Sequence, residues 1–238
     1  MYSALLVIIY LAFISLGLPD TLLGSAWPQM HIELNASLSS AGIITMIISL
    51  GTVISSLFSD RLNIKLGTGK VTAISVLMTA VALLGFSLSH SFIILCVLAV
   101  PYGLGAGAVD AALNNYVALH YSSKHMSWLH CFWGVGASIG PYIIGTCMAH
   151  GLGWRGGYSV ISVLQFTLTA ALFITLPLWK KVENSENNVS NGNNESTQEE
   201  PQERKAKSFS EVLHIKGVIY ILFAFFCYSA VEQTTTLW

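Results

Sequence analysis

Charge is what this sequence has least of. Only 10% of its 238 residues are Asp, Glu, Lys or Arg, against about 25% in an ordinary soluble domain. That deficit excludes a water-soluble globule. The net charge of −1 also excludes a nucleic-acid partner, because there is no basic stripe to neutralise phosphates. Cysteine is scarce too: Cys96, Cys131, Cys147 and Cys227 lie inside apolar runs. They make no metal-ligand spacing and no extracellular pairing pattern, and read as small apolar fillers. Enzyme chemistry lacks its usual parts. No Ser-His pair or His/Glu cluster stands at helical spacing within an apolar run, so the expectation is no enzyme, no cofactor and no metal. The first apolar block lacks a basic leader region, and Pro19-Asp20 interrupts it where a cleavage site would sit. An uncleaved first helix is therefore expected.

What the chain does have is apolar sequence in long blocks. Hydrophobic residues make up 53% of it, in blocks of about 20, the length that crosses a bilayer core of about 30 Å. The pattern predicts an all-α polytopic membrane bundle with spans at 4–28, 40–62, 69–89, 92–119, 128–150 and 157–179, and a seventh from about 215 to 238. Three domains follow: a six-helix bundle over 1–180, a linker over 181–213, and the first helix of a further bundle over 214–238. The linker contains ENSENNVSNGNNESTQEEPQER, too polar to bury the area that would offset its ordering entropy, so a disordered cytoplasmic segment is expected.

Basic residues fix an orientation. Arg61, Lys65, Lys70, Lys124, Lys180, Lys181, Arg204, Lys205, Lys207 and Lys216 fall on one side of the predicted spans, and Arg155 alone on the other. This split predicts a cytoplasmic N-terminus in a multi-pass protein of the cell membrane. Trp27, Trp128, Trp154 and Trp179 fall at predicted span ends, where headgroups favour an indole.

Three acids lie inside spans. A lone carboxylate at mid-membrane costs about 2.5–3.5 kcal/mol on insertion scales, so it marks transport or chemistry more often than packing. Asp110 is the clearest case, since no basic residue stands closer to it in sequence than Lys124. Gly17-x-x-Asp20 recurs as Gly107-x-x-Asp110, 90 residues later, and Glu232 takes the same place in the seventh span. Spans one and four enter the membrane from opposite sides, which makes an inverted repeat of three-helix units. The plainer alternatives are an end-of-helix residue for Asp20, a paired structural acid for Asp110, and a shallow position for Glu232.

Asn114 shares a helix face with Asp110 and Asn115 points about 100° away; either amide could bond a solute hydroxyl. His130 and Trp133 stand one turn apart in the fifth span. Facing a wet cavity they would suit a sugar, and interhelical packing is the competing reading. Gly103-x-x-x-Gly107 and Gly136-x-x-x-Gly140 read first as close-packing positions.

Several stretches together carry a family resemblance: GLPDTLLGSAWP, FSDRLNIKLGTGKV, GAVDAALNNYVALHYSSKHMSWLHCFWGVGASIGP, GWRGGY and YSAVEQTTTLW. They resemble the major facilitator superfamily, and within it the fucose–galactose–hexose proton symporter group, in particular its bacterial glucose/mannose-type branch. The resemblance implies secondary active transport, with proton-coupled uptake of a small solute, a hexose-type sugar, by alternating access. It implies proton coupling at Asp20, Asp110 and Glu232, and a gate at Asp60 and Arg61. Ser56 and Asn63 replace glycines usual in that gating loop. The superfamily has twelve helices, so a chain reaching the seventh is expected to be a truncated product or fragment. Gly136-x-x-x-Gly140-Pro141 also resembles a helix-five motif of drug exporters. Export of hydrophobic solutes, or a non-transporting membrane remnant or sensor, are the alternatives.

Overall fold

The computed structural model describes residues 2–192 and 213–237, and among them all regular structure is helical. The first predicted span is two helices, α1 (Tyr2–Asp20) and α2 (Leu22–Glu33), broken at Thr21. Pro19 in the last turn of α1 removes an N–H and crowds the preceding turn. The Thr21 hydroxyl, at the break, donates instead to the Ala137 carbonyl at 2.8 Å. The two helices together still make one membrane-length segment, Ala4–Glu33. A short 3-10 turn, Leu38–Ser40, leads into α3 (Ala41–Leu66). Then come α4 (Thr68–Leu88), α5 (Phe92–His120), α6 (Ser123–Ala149), α7 (Gly153–Gly192) and α8 (Val218–Leu237).

Among the described residues, six helical segments are long and apolar enough to cross a membrane, matching the first six predicted spans. Their ends run past the apolar blocks, because a polar residue leaves the hydrocarbon layer without having to leave the helix. α3 stops only at Gly67, whose φ of 80° is a conformation that glycine adopts without steric cost. α7 continues to Gly192, so the first part of the expected linker is helical; its remainder, 193–212, lies outside the described residues. The chain divides into two compact units, Met1–Glu183 and Asn184–Trp238. In the second, α8 covers Val218–Leu237, and Val218–Glu232 within it is apolar.

Within the first unit the helices pair through glycine. A Cβ on Gly17 would collide with the Trp133 carbonyl of α6, and on Gly136 or Gly140 with the Ile14 and Leu18 carbonyls of α1. A Cβ on Gly103 or Gly107 would meet the Ile48 and Thr52 carbonyls of α3. Both small-residue motifs are thus packing seams, where van der Waals contact between backbones holds the helices together. They also express the repeat: Gly17 and Gly107 of the two Gly-x-x-Asp motifs each mark a closest approach to a neighbouring helix. The equivalence extends further. Ser15 of α1 meets Gln165 of α7, and Gly105 of α5 abuts the Ser75 carbonyl of α4, both pairs related by the same 90-residue offset.

Side chains close the two ends of this unit. At one, the Glu33 carboxylate accepts from Trp154 Nε1 at 3.0 Å and pairs with Arg155, whose other nitrogen donates to the Ser89 carbonyl at 3.0 Å. Thus α2, α4 and α7 are joined. At the other, Trp179 covers Gly69 and packs on Tyr116 with ring centroids 5.2 Å apart. The tryptophan expectation needs correcting here. Of these four, Trp27, Trp154 and Trp179 are buried in protein and Trp128 is exposed: Trp27 donates to the Leu38 carbonyl, Trp154 to the Glu33 carboxylate, and Trp179 packs on Gly69.

These seams predict a contrast between glycines. Gly136→Ala should destabilise the protein by about 1–3 kcal/mol through overpacking, whereas Gly145→Ala, where a Cβ meets nothing within 4 Å, should be neutral. Thermal unfolding in detergent measures both.

Candidate functional site

The close approach at Gly17 places the side chain of Trp133 beside the end of α1. Its indole Nε1 donates to Asp20 Oδ2 at 2.9 Å. From α5 the Tyr102 hydroxyl faces the other oxygen, Oδ1, at 3.5 Å. Asp20 is therefore held by two helices while remaining exposed on its open side. Asp110 is held differently. Asn114, one turn on along α5, donates Nδ2 to Asp110 Oδ1 at 3.0 Å. His130 of α6 lies within electrostatic reach of Asp110, and its ring stands edge-on to Phe13 at 6.1 Å.

One face of α6 thus relates the two carboxylates. Trp133 bonds Asp20, and His130, a turn earlier on α6, lies in the neighbourhood of Asp110. Five of the sequence-predicted residues meet on this wall: Asp20, Asp110, Asn114, His130 and Trp133. Asn115 is exposed on another face of α5, as its angular offset from Asn114 requires. Asp60 and Arg61 lie on the last turns of α3, both exposed. Glu232 belongs to the second unit, where it lies partly buried on α8.

Two residues of this region were not singled out from sequence. Tyr102 is buried and resembles any packing aromatic, so nothing marked it. Gln165 could have been noticed as a lone amide within a span. It is 2% exposed; its Oε1 accepts from Ser15 Oγ and its Nε2 donates to the Ser15 carbonyl, both at 2.6 Å. The pair joins α7 to α1 with every polar atom of the amide and hydroxyl engaged. Between Pro19, Tyr102 and Gln165 lies a cavity of about 10 Å³, which holds at most one water.

Residues 9–238 match the family model described as Major Facilitator Superfamily. Among curated relatives, the chain is 26% identical over 116 residues to an uncharacterized transporter of Sinorhizobium fredii, covering 48% of this chain and 31% of that protein. It is 25% identical over 178 residues to synaptic vesicle glycoprotein 2B of Rattus norvegicus, covering 72% of this chain and 26% of that protein. Synaptic vesicle glycoprotein 2C of the same species is 25% identical over 168 residues, covering 68% of this chain and 23% of that protein. The chain spans about a quarter to a third of the length of the relatives it matches.

The Ser15–Gln165 pair generates a prediction. Gln165→Leu leaves the buried Ser15 hydroxyl and carbonyl without their partner, at a cost of about 1–3 kcal/mol. In a double-mutant cycle on thermal unfolding, part of that loss should disappear when Ser15 is already alanine.

Proposed function

The chain belongs to the major facilitator superfamily, and on that premise we propose that it serves secondary active transport: proton-coupled uptake of a small neutral solute, a hexose-type sugar, by alternating access. The observation that carries this reading is the wall on α6. It relates two carboxylates, one braced by Trp133 and one beside His130, with an amide at Asn114. A solute rich in hydroxyls needs donors and acceptors in this mixture, and Asn114, His130 and the ring of Trp133 supply them. Sugar hydroxyls both donate and accept, and an aromatic face covers the apolar side of a pyranose.

Asp110 takes the coupling proton in this scheme, with Asp20 and Glu232 contributing. A neutral carboxyl removes the charge that opposes closing the cavity, and loss of the proton to the other side resets it. The halves of a whole transporter rock about a solute near the midplane, with Asp60 and Arg61 gating the inner face. The ten-to-one division of basic residues favours a cell-membrane protein with its N-terminus in the cytoplasm.

In vesicles containing the protein, radiolabelled hexoses should accumulate against their gradient when a pH gradient is imposed. Asp110→Asn should abolish that accumulation and leave hexose exchange intact. Unchanged accumulation would remove Asp110 from the coupling step. Efflux of lipophilic dyes without hexose uptake would replace the reading with export, to which the Gly136 and Gly140 motif also bears a resemblance.

A further inference from the structure

Span one is broken beside the carboxylate it presents, and α6 holds the break at three points. The Trp133 carbonyl lies against Gly17, so no side chain fits between the helices there. The Thr21 hydroxyl donates to the Ala137 carbonyl at 2.8 Å. Between these, Trp133 Nε1 donates to Asp20 Oδ2 at 2.9 Å. The first two ties involve backbone, and a change of protonation leaves them alone. The third ends on a titratable group.

We infer that Trp133 is the positioning residue through which the charge of Asp20 controls the break between α1 and α2. The inference rests on the reading of Asp20 as a proton-coupling group. Of the groups described at Asp20, α6 presents the Trp133 indole and α5 the Tyr102 hydroxyl, both uncharged; His130, a turn before Trp133 on α6, is the nearby titratable ring. An indole N–H only donates, whereas a tyrosine hydroxyl donates or accepts. A proton arriving from water on the exposed side of Asp20 therefore bonds to Oδ1, where the Tyr102 hydroxyl rotates to accept it. Oδ2 keeps the indole. The Trp133 bond then ends on a neutral carbonyl oxygen instead of a carboxylate and has about half its former strength. With that tie slackened, α2 keeps to α6 through the Thr21–Ala137 bond and the packing of Leu22 at Gly140, and it can tilt about the break. Release of the proton to water restores the carboxylate and tightens the grip. Discontinuous helices at a solute site are where such motion costs least, since no backbone hydrogen bond of a continuous helix has to be broken.

The test uses protein reconstituted in liposomes, with radiolabelled D-glucose as the probe. Trp133→Phe keeps a six-membered ring in the packing and deletes the donor together with the five-membered ring that carries it. The sulfur analogue of tryptophan, which has no N–H, placed at 133 is the second variant should phenylalanine fail to assemble. Either change should slow accumulation driven by a pH gradient about tenfold more than it slows glucose exchange, the scale of one hydrogen bond to a charged group. An equal loss in both modes would mean a merely structural role and overturn the inference. A second readout needs no transport: in thermal unfolding, the losses from Trp133→Phe and Asp20→Asn should be less than additive. Additive losses would overturn the inference even in a protein that carries glucose. Failure of the unaltered protein to take up glucose instead counts against the reading of its function.

Discussion

The first unit depends on how closely two pairs of helices can approach. Where α1 crosses α6 and where α3 crosses α5, a glycine faces a carbonyl and leaves no room for a methyl group. In a membrane there is little hydrophobic gain from bringing apolar helices together, so such contact is what binds them. The same contact positions the polar groups. Trp133 reaches Asp20 because its own backbone lies against Gly17, three residues before the acid. A larger residue at 17 would move the indole as well as the helix.

Comparison of the two repeats shows what the scaffold shares and where its chemistry diverges. Gly17 and Gly107 do the same packing job, yet the acids that follow them are held in different ways. Asp20 is braced from other helices by Trp133 and Tyr102, and Asp110 from within its own helix by Asn114. At the next equivalent place, one repeat has the Ser15–Gln165 pair and the other has Gly105 against a carbonyl. The inherited feature is the spacing between helices. The donors around each carboxylate are particular to the repeat.

Much of this was legible in the sequence, because membrane crossing depends on a coarse property. Blocks of apolar residues fix the number and order of spans whatever their packing, and acids among them stand out. Helix ends were harder to read. α7 passes well beyond Trp179 because Lys180 onward can be helical outside the hydrocarbon layer, and the break at Thr21 depends on a tertiary hydrogen bond as well as on Pro19. Trp154 and Trp179 looked like headgroup anchors, since position along a helix does not reveal what another helix brings to meet it. Tyr102 was invisible for the same reason: its partner is 82 residues away in the chain.

The pairing of Glu33 with Arg155 has an electrical consequence. These are the only two residues of formal charge in the turns where α2 ends, α4 ends and α7 begins, and each cancels the other. That rim carries no net formal charge. A charge elsewhere in solution therefore meets little long-range attraction or repulsion from this pair.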